Sequence, residues 1–172
     1  KDDFHKITKI IGIVFVIVVL LILVPSFIVV ITDGEVGVQK TLGKINNNEL
    51  YSGLHFAVPP FSSITKWDVR TQEIKETAAV PSKEGLIVTL DVSVIYHLDP
   101  ENVAELRKTT SVNYWETLLI PYVRNAIRDI SSKYKVEDLY SEFGRQSVSV
   151  DMYEYLVEKL EYRGIIIEDV LL

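Results

Sequence analysis

The residues best suited to chemistry in this 172-residue chain are few and scattered. Its three histidines, His5, His55 and His97, lie in unrelated contexts, and no pair has the helical spacing of metal ligands. His97 falls on the polar side of an alternating segment and reads as a surface histidine. The acidic pairs Glu137-Asp138 and Glu168-Asp169 are adjacent in sequence. In a strand, neighbours point to opposite faces, so Glu168 and Asp169 are not expected to serve one bond together. Asp138 fits the first turn of a helix, where the dipole favours a carboxylate. Arg124 and Arg128 are one helical turn apart with Asp129 between them. They read as a solvated face with salt bridges rather than an anion site. Tyr114, Trp115 and Tyr122 read as core or interface aromatics. G-x-S-x-G, Walker and G-x-G-x-x-G patterns are missing from the sequence. No catalytic, cofactor or metal constellation is therefore expected.

Composition narrows the classes further. Without cysteine, disulfides and thiolate metal sites are excluded. Setting aside Lys1, Lys6, Lys9, Asp2 and Asp3 from totals of 18 basic and 24 acidic side chains leaves 15 and 22 from Asp33 onward, a balance of −7. So acidic a domain repels phosphate backbones, which argues against nucleic acid as a partner.

Residues 10 to 31 contain no charge. Ile10, Ile11, Ile13, Val14, Phe15, Val16, Ile17, Val18, Val19, Leu20, Leu21, Ile22, Leu23 and Val24 are apolar all round, interrupted only by Gly12. A helix rising about 1.5 Å per residue crosses a hydrocarbon core of about 30 Å in about 20 residues. Ile7–Val24 comes close to that length, with Lys9 snorkelling at one end and Pro25 ending the helix at the other. A signal peptide would need small residues at a cleavage site, and Val24-Pro25-Ser26-Phe27 lacks them. A re-entrant return over Phe27–Ile31 would be too short and too β-branched. The segment is expected to span the bilayer. The preceding lysines put the N-terminus in the cytoplasm and the domain outside it.

The rest reads as one α+β domain. Phe27–Ile31 and Val36–Leu42 are strand-like around a turn at Thr32-Asp33-Gly34-Glu35. Gly43 to Ser52, with its run Asn46-Asn47-Asn48, reads as a loop. Gly53–Phe61 is apolar, and its double proline forbids a central strand. Ile64 to Ala78 carries strand signals. In Leu86–Leu98 the residues Leu86, Val88, Leu90, Val92, Val94, Tyr96 and Leu98 share one face, a period of two with one buried side. Glu101–Lys108 reads as a helix. Val112–Ile130 follows as a strongly amphipathic helix, with Trp115, Leu118, Leu119, Tyr122, Val123, Ala126, Ile127 and Ile130 inward and Pro121 kinking it or starting a new segment. A short turn at Val136–Ser141 precedes a helix at Arg145–Tyr162, whose Val148, Met152, Tyr155, Leu156 and Leu160 face inward. Gly164 stands at its C′ position, and Ile165–Leu171 is a closing strand. The expected divisions are 1–25, a stub and membrane helix; 26–98, a strand-rich half next to the membrane; and 99–172, a helical half.

In order along the chain, Asp33-Gly34-Glu35-Val36-Gly37-Val38, Leu42-Gly43-Lys44, Gly53-Leu54-His55-Phe56, Pro60-Phe61, Asp68-Val69-Arg70, Ser82 to Leu86, Pro121 to Asp129 and Gly164 to Val170 resemble the SPFH or band 7 domain of stomatins, prohibitins, flotillins and the bacterial HflK and HflC proteins. The helical half reads more like prohibitin than flotillin. Glu84 departs from the family's usual Asp. No charged heptad helix follows Leu172, although in the family a long coiled coil drives assembly, so a longer product is expected.

The resemblance implies a fold with a mostly antiparallel sheet and packed helices. It also implies a non-enzymatic scaffold without cofactor, whose copies, or paralogous SPFH subunits, form a ring or cage around a patch of lipid bilayer. Such assemblies regulate a membrane-bound AAA protease, channels or lipid domains. On the residues themselves, Leu54, Phe56, Val58, Pro59, Pro60 and Phe61 are expected either to dip into the outer leaflet or to fold over the sheet. The edge strand carrying Ile165, Ile167 and Val170 is expected to offer a subunit contact. An anchored binding module that does not assemble is the alternative; an anchored hydrolase has little support, since no nucleophile has a histidine base nearby.

Overall fold

In a computed structural model the described residues are 27–172 together with Gly12, Val14 and Phe15, which are helical and exposed. The chain divides into two compact units, Lys1–Lys66 and Trp67–Leu172. The second unit takes in the two longest strands, which pack with the helices.

The first unit is built from short strands. Strand β1 (Ile28–Ile31) pairs antiparallel with β4 (Gly53–Phe56) in a two-stranded ribbon. Strands β2 (Glu35–Thr41), β3 (Lys44–Leu50) and β5 (Ser62–Asp68) form a sheet ordered β3-β2-β5. The turn after β1 thus joins strands that pair elsewhere. Glu35 closes it by accepting hydrogen bonds from the Thr32 hydroxyl (2.8 Å) and backbone N–H (3.3 Å). Ile31, Val36, Val38 and Ala57 are its most buried side chains.

The expected loop at Gly43 to Ser52 is instead the strand β3. A two-residue turn makes it possible: Leu42 and Gly43 both have positive φ, at 49° and 87°, the backbone of a type I′ hairpin. The asparagines suggested a loop because they have low strand propensity. The strand is held by pairing with β2 at Lys44, Ile45, Glu49 and Leu50, and the three asparagines fall in the irregular stretch between these pairs.

The second unit centres on β7 (Ile87–Leu98), which pairs antiparallel with β6 (Gln72–Pro81) on one side and β8 (Ile165–Leu171) on the other. Val88, Leu90, Val92, Val94, Tyr96 and Leu98 are buried, as the period of two requires. Leu86 is an exception: it precedes the strand and is exposed. The predicted strand region 64–78 divides into β5 and β6. At the break, Asp68 accepts from the Arg70 backbone N–H and guanidinium.

Helices α1 (Val103–Thr109), α2 (Ile120–Ser131), α3 (Val136–Tyr140) and α4 (Glu142–Leu160) lie between β7 and β8 in sequence. Trp115–Leu119 is a π-helical turn that runs into α2, with Pro121 in the first turn of α2. This wider turn leaves Trp115 partly exposed rather than inward. Tyr114 turns in instead, with ring centroids 5.6 Å from Trp67 and 6.4 Å from Tyr96. Burial pushes its phenol pKa up, with the Tyr96 hydroxyl adding to the effect. On α4, Val148, Met152, Leu156 and Leu160 are buried, whereas Tyr155 is only half-buried. Glu84, the departure noted above, accepts from the Val136 N–H at 3.2 Å, so its carboxylate caps α3. Asp138 accepts from the Lys135 N–H at 3.3 Å, in keeping with its placement in a first turn. Gly164 has φ 80° and ends the last helical turn.

Glu168 is a bulged residue. The pairing passes from Ile95↔Asp169 to Tyr96↔Ile167, leaving Glu168 without an opposite number. Glu168 and Asp169 are consequently both exposed instead of alternating. The Glu168 carboxylate lies 2.6 Å from His97 Nδ1 and accepts from the Thr71 hydroxyl at 2.8 Å. His97 is therefore part of a polar clip holding β8, not a lone surface histidine. The Thr71 and His97 hydrogen bonds hold the Glu168 carboxyl below its ordinary value.

Two predictions follow from this packing. The first turn of α4 lies so close to α3 that a Cβ on Gly144 would strike the Asp138 carbonyl oxygen. Gly144→Ala should lower stability by about 1–3 kcal/mol, read as a lower urea midpoint with an unchanged slope. Because the folded pKa of Glu168 is lowered, its stabilisation is complete above the ordinary value of 4.5 and is lost as pH falls through the lowered one. Thr71→Val should raise the Glu168 pKa in a carboxyl NMR titration. The stability gap between this variant and the parent should shrink as pH is taken below that range.

Candidate membrane-contact surface

The apolar residues singled out after Gly53 gather on one exposed surface of the first unit. Across the β1–β4 ribbon, Ile28 lies opposite Phe56 and Val30 opposite Leu54. Directly opposed residues, and residues two apart on a strand, share a face. These four side chains therefore form one apolar face, and Leu54 and Phe56 are 68% and 70% exposed. Val29 and Ile31 point the other way, and Ile31 is buried.

The chain then turns at Val58–Ser62. The Phe61 and Ser62 N–H groups donate to the Val58 carbonyl at 2.8 and 2.9 Å, and the Val58 N–H donates to Ser62 Oγ at 2.7 Å. With its backbone satisfied internally, the turn presents Val58 and Phe61 outward, with Pro59 and Pro60 exposed between them. The Leu42 N–H donates to the Phe61 carbonyl at 2.8 Å, bringing the β2–β3 hairpin tip beside the turn. Leu42 is the most exposed of these apolar side chains, at 78%. None of them is charged; Lys40 and Lys44 flank the hairpin tip. Behind the surface, His55 Nε2 donates to the Tyr51 carbonyl at 2.7 Å, which ties that histidine to the backbone.

Sequence reasoning found Leu54, Phe56, Val58 and Phe61 from their run of apolar types. It missed Ile28, Val30 and Leu42. The alternation in Phe27–Ile31 was a usable signal for the first two. Nothing local marked Leu42, whose position comes from the hairpin turn. The expectation of a spanning helix at Ile10 to Val24 lies outside the described residues, save for Gly12, Val14 and Phe15. Among the described residues no helix is long and apolar enough to cross a membrane.

The expected subunit-contact side chains are placed differently. Ile165, Ile167 and Val170 are buried in their own chain's core and do not face outward. They line the face of β8 that packs against α4: alternation places Ile165 and Ile167 together, and the bulge at Glu168 brings Val170 onto the same face. At the outer edge, β8 pairs with β7 alone among the described residues and borders an open cleft of about 580 Å³. Arg145, Val150, Tyr153 and Leu171 help to line that cleft. Of the other singled-out groups, Arg124 Nε donates to Glu76 at 2.9 Å, the salt bridge expected of a solvated face. No cluster of metal-ligating side chains occurs among the described residues.

Three curated proteins illustrate what the chain is similar to. It is 24% identical over 118 residues to "Prohibitin-7, mitochondrial" of Arabidopsis thaliana, covering 69% of this chain and 42% of that one. To "Prohibitin-2" of Mus musculus it is 23% identical over 121 residues, covering 70% and 40%. To "Prohibitin-1" of Schizosaccharomyces pombe it is 23% identical over 141 residues, covering 82% and 47%. The chain thus spans less than half the length of these relatives. The sequence pattern of the "SPFH domain / Band 7 family" matches residues 29–172, which takes in nearly all of the described residues. With that match over most of its length, the chain belongs to the SPFH domain / Band 7 family.

Proposed function

We propose that this protein is a non-enzymatic membrane scaffold, held to the bilayer by a helix at Ile10 to Val24 and by the apolar surface of its first unit. The observation that carries the reading is that surface. Leu42, Leu54, Phe56, Val58 and Phe61 are all exposed beside a strand that begins three residues after Pro25. Burying a large apolar side chain contributes about 1.5–3 kcal/mol. A few together hold a domain against a leaflet that is already within reach. The N-terminus lies in the cytoplasm and both units outside it.

Copies of the chain, or of a paralogous SPFH subunit, pack side by side into a ring or cage around a membrane patch. The assembly acts on a membrane-bound AAA protease or on other membrane proteins. The unpaired edge of β8 and its cleft support a lateral contact, made by backbone, Leu171 and the exposed face of α4. The same cleft keeps a second reading alive, since Arg145, Gln146 and Ser149 converge on it and suit an anchored module that captures a partner peptide.

Phe56→Ser with Phe61→Ser, in a chain lacking residues 1–25, should weaken liposome binding by at least about tenfold; unchanged binding would remove the surface from the account. The whole gene product, extracted in mild detergent and sized by light scattering, should give a particle of many subunits. A monomer or dimer would replace the scaffold with the binding module.

A further inference from the structure

The run Asn46-Asn47-Asn48 lines a second cleft, of about 410 Å³, on the β2–β3 hairpin. Its origin is a break in the ladder. Val38 pairs with Glu49 and Lys40 with Ile45, so three asparagines of β3 stand opposite the single residue Gln39. A bulge of this kind bends the strand and opens a hollow beside it. Gln39, Lys44 and the three asparagines line the hollow together with Ile45 and Leu50.

The lining has a distinct chemistry. Asn46 Nδ2 donates to Gln39 Oε1 at 3.1 Å, which orients both amides. Among the described residues, Asn47 and Asn48 make no side-chain hydrogen bond, and both are exposed. Each brings two N–H donors and a carbonyl acceptor, a set that suits hydroxyls and phosphate oxygens together. Lys44 is the cation in the lining, and no carboxylate is part of it. The cleft is tied to the apolar surface at two points. Gln39 Nε2 donates to the Phe56 carbonyl at 3.4 Å, and Lys44 is two residues from the exposed Leu42.

We propose that this cleft binds the headgroup of an anionic phospholipid carrying free hydroxyls, of the phosphatidylglycerol class. Lys44 takes the phosphodiester, and the amides of Asn46, Asn47 and Asn48 take the hydroxyls. The placement rests on the membrane-contact reading, because the cleft meets bilayer lipid only when the apolar surface beside it is in the leaflet. With Phe56 and Phe61 among the acyl chains, the cleft lies at headgroup depth. The strand irregularity and the asparagine run then have one purpose, to make a polar recess where a regular hairpin would be flat.

The test is a titration of the full chain in neutral detergent, followed by the side-chain amide NMR signals of Gln39, Asn46, Asn47 and Asn48. Dihexanoyl-phosphatidylglycerol should move these signals saturably. Dihexanoyl-phosphatidylcholine, with a phosphodiester but no hydroxyl or net charge, should bind at least about tenfold more weakly. Lys44→Gln should weaken the glycerol lipid by a similar factor while leaving the rest of the spectrum in place. Absence of movement, or an equal response to the two lipids, would overturn the proposal. Glycerol 3-phosphate acting as strongly as the glycerol lipid would overturn the lipid assignment in favour of a soluble phosphoester. The short-chain lipid reaches the cleft without a bilayer, so the two readings fail separately. A normal titration alongside unchanged liposome binding by Phe56→Ser, Phe61→Ser removes the contact surface alone. A silent titration alongside lost liposome binding removes the headgroup site alone.

Discussion

The ladder between β1 and β4 is the interaction on which the exposed apolar surface of this protein depends. A strand must satisfy its backbone N–H and C=O groups through a partner strand or solvent. Here β1 does so with a segment 25 residues further on, joining Ile28 to Phe56 and Ile31 to Gly53. The pairing brings two apolar stretches together, and their period of two then sorts the side chains. Val29 and Ile31 go to the interior and Ile28, Val30, Leu54 and Phe56 to the outside. A register slip of one residue would reverse that sorting and expose Ile31.

The second unit solves a different problem. Its strand β7 is long, buried on one face and paired on both edges, so the helices have a fixed surface to cover. Irregular backbone is confined to places with a specific partner. The π-helical turn before α2 turns Tyr114 towards Trp67 and Tyr96. The bulge at Glu168 swings its carboxylate to His97 and Thr71. Glu84 reaches from the β6–β7 turn to the first N–H of α3. In each case a local departure from regularity is matched by a contact distant in sequence.

Most of the elements were legible because their signals are periodic. The alternation in β7, the three-and-four spacing of α2 and the glycine that ends the last helical turn each reflect a local rule that tertiary contacts reinforce. The readings that changed came from residues whose types have two uses. Asparagine is common in loops, yet Asn46-Asn47-Asn48 lies within strand β3, at the irregular part of its ladder with β2. Trp115 matched the inward stripe of an ideal α-helix, but the wider π turn rotated it outward. Adjacent carboxylates on a regular strand diverge, but a bulge at Glu168 removes that rule.

By itself, the sequence determined the apolar N-terminal run, the α+β class, the family and the lack of a recognisable catalytic motif. These depend on composition, order and short-range periodicity, which need no knowledge of which strand meets which. Only the tertiary structure decided that Ile28 and Val30 join Leu54 and Phe56 on one face, and that Leu42 sits beside Phe61. It also decided that Ile165, Ile167 and Val170 belong to the core and that three asparagines stand opposite one glutamine. Those outcomes depend on strand pairing and register. Both are set by the sum of contacts between segments far apart in the chain, and a single residue of register moves every side chain of a strand to its other face.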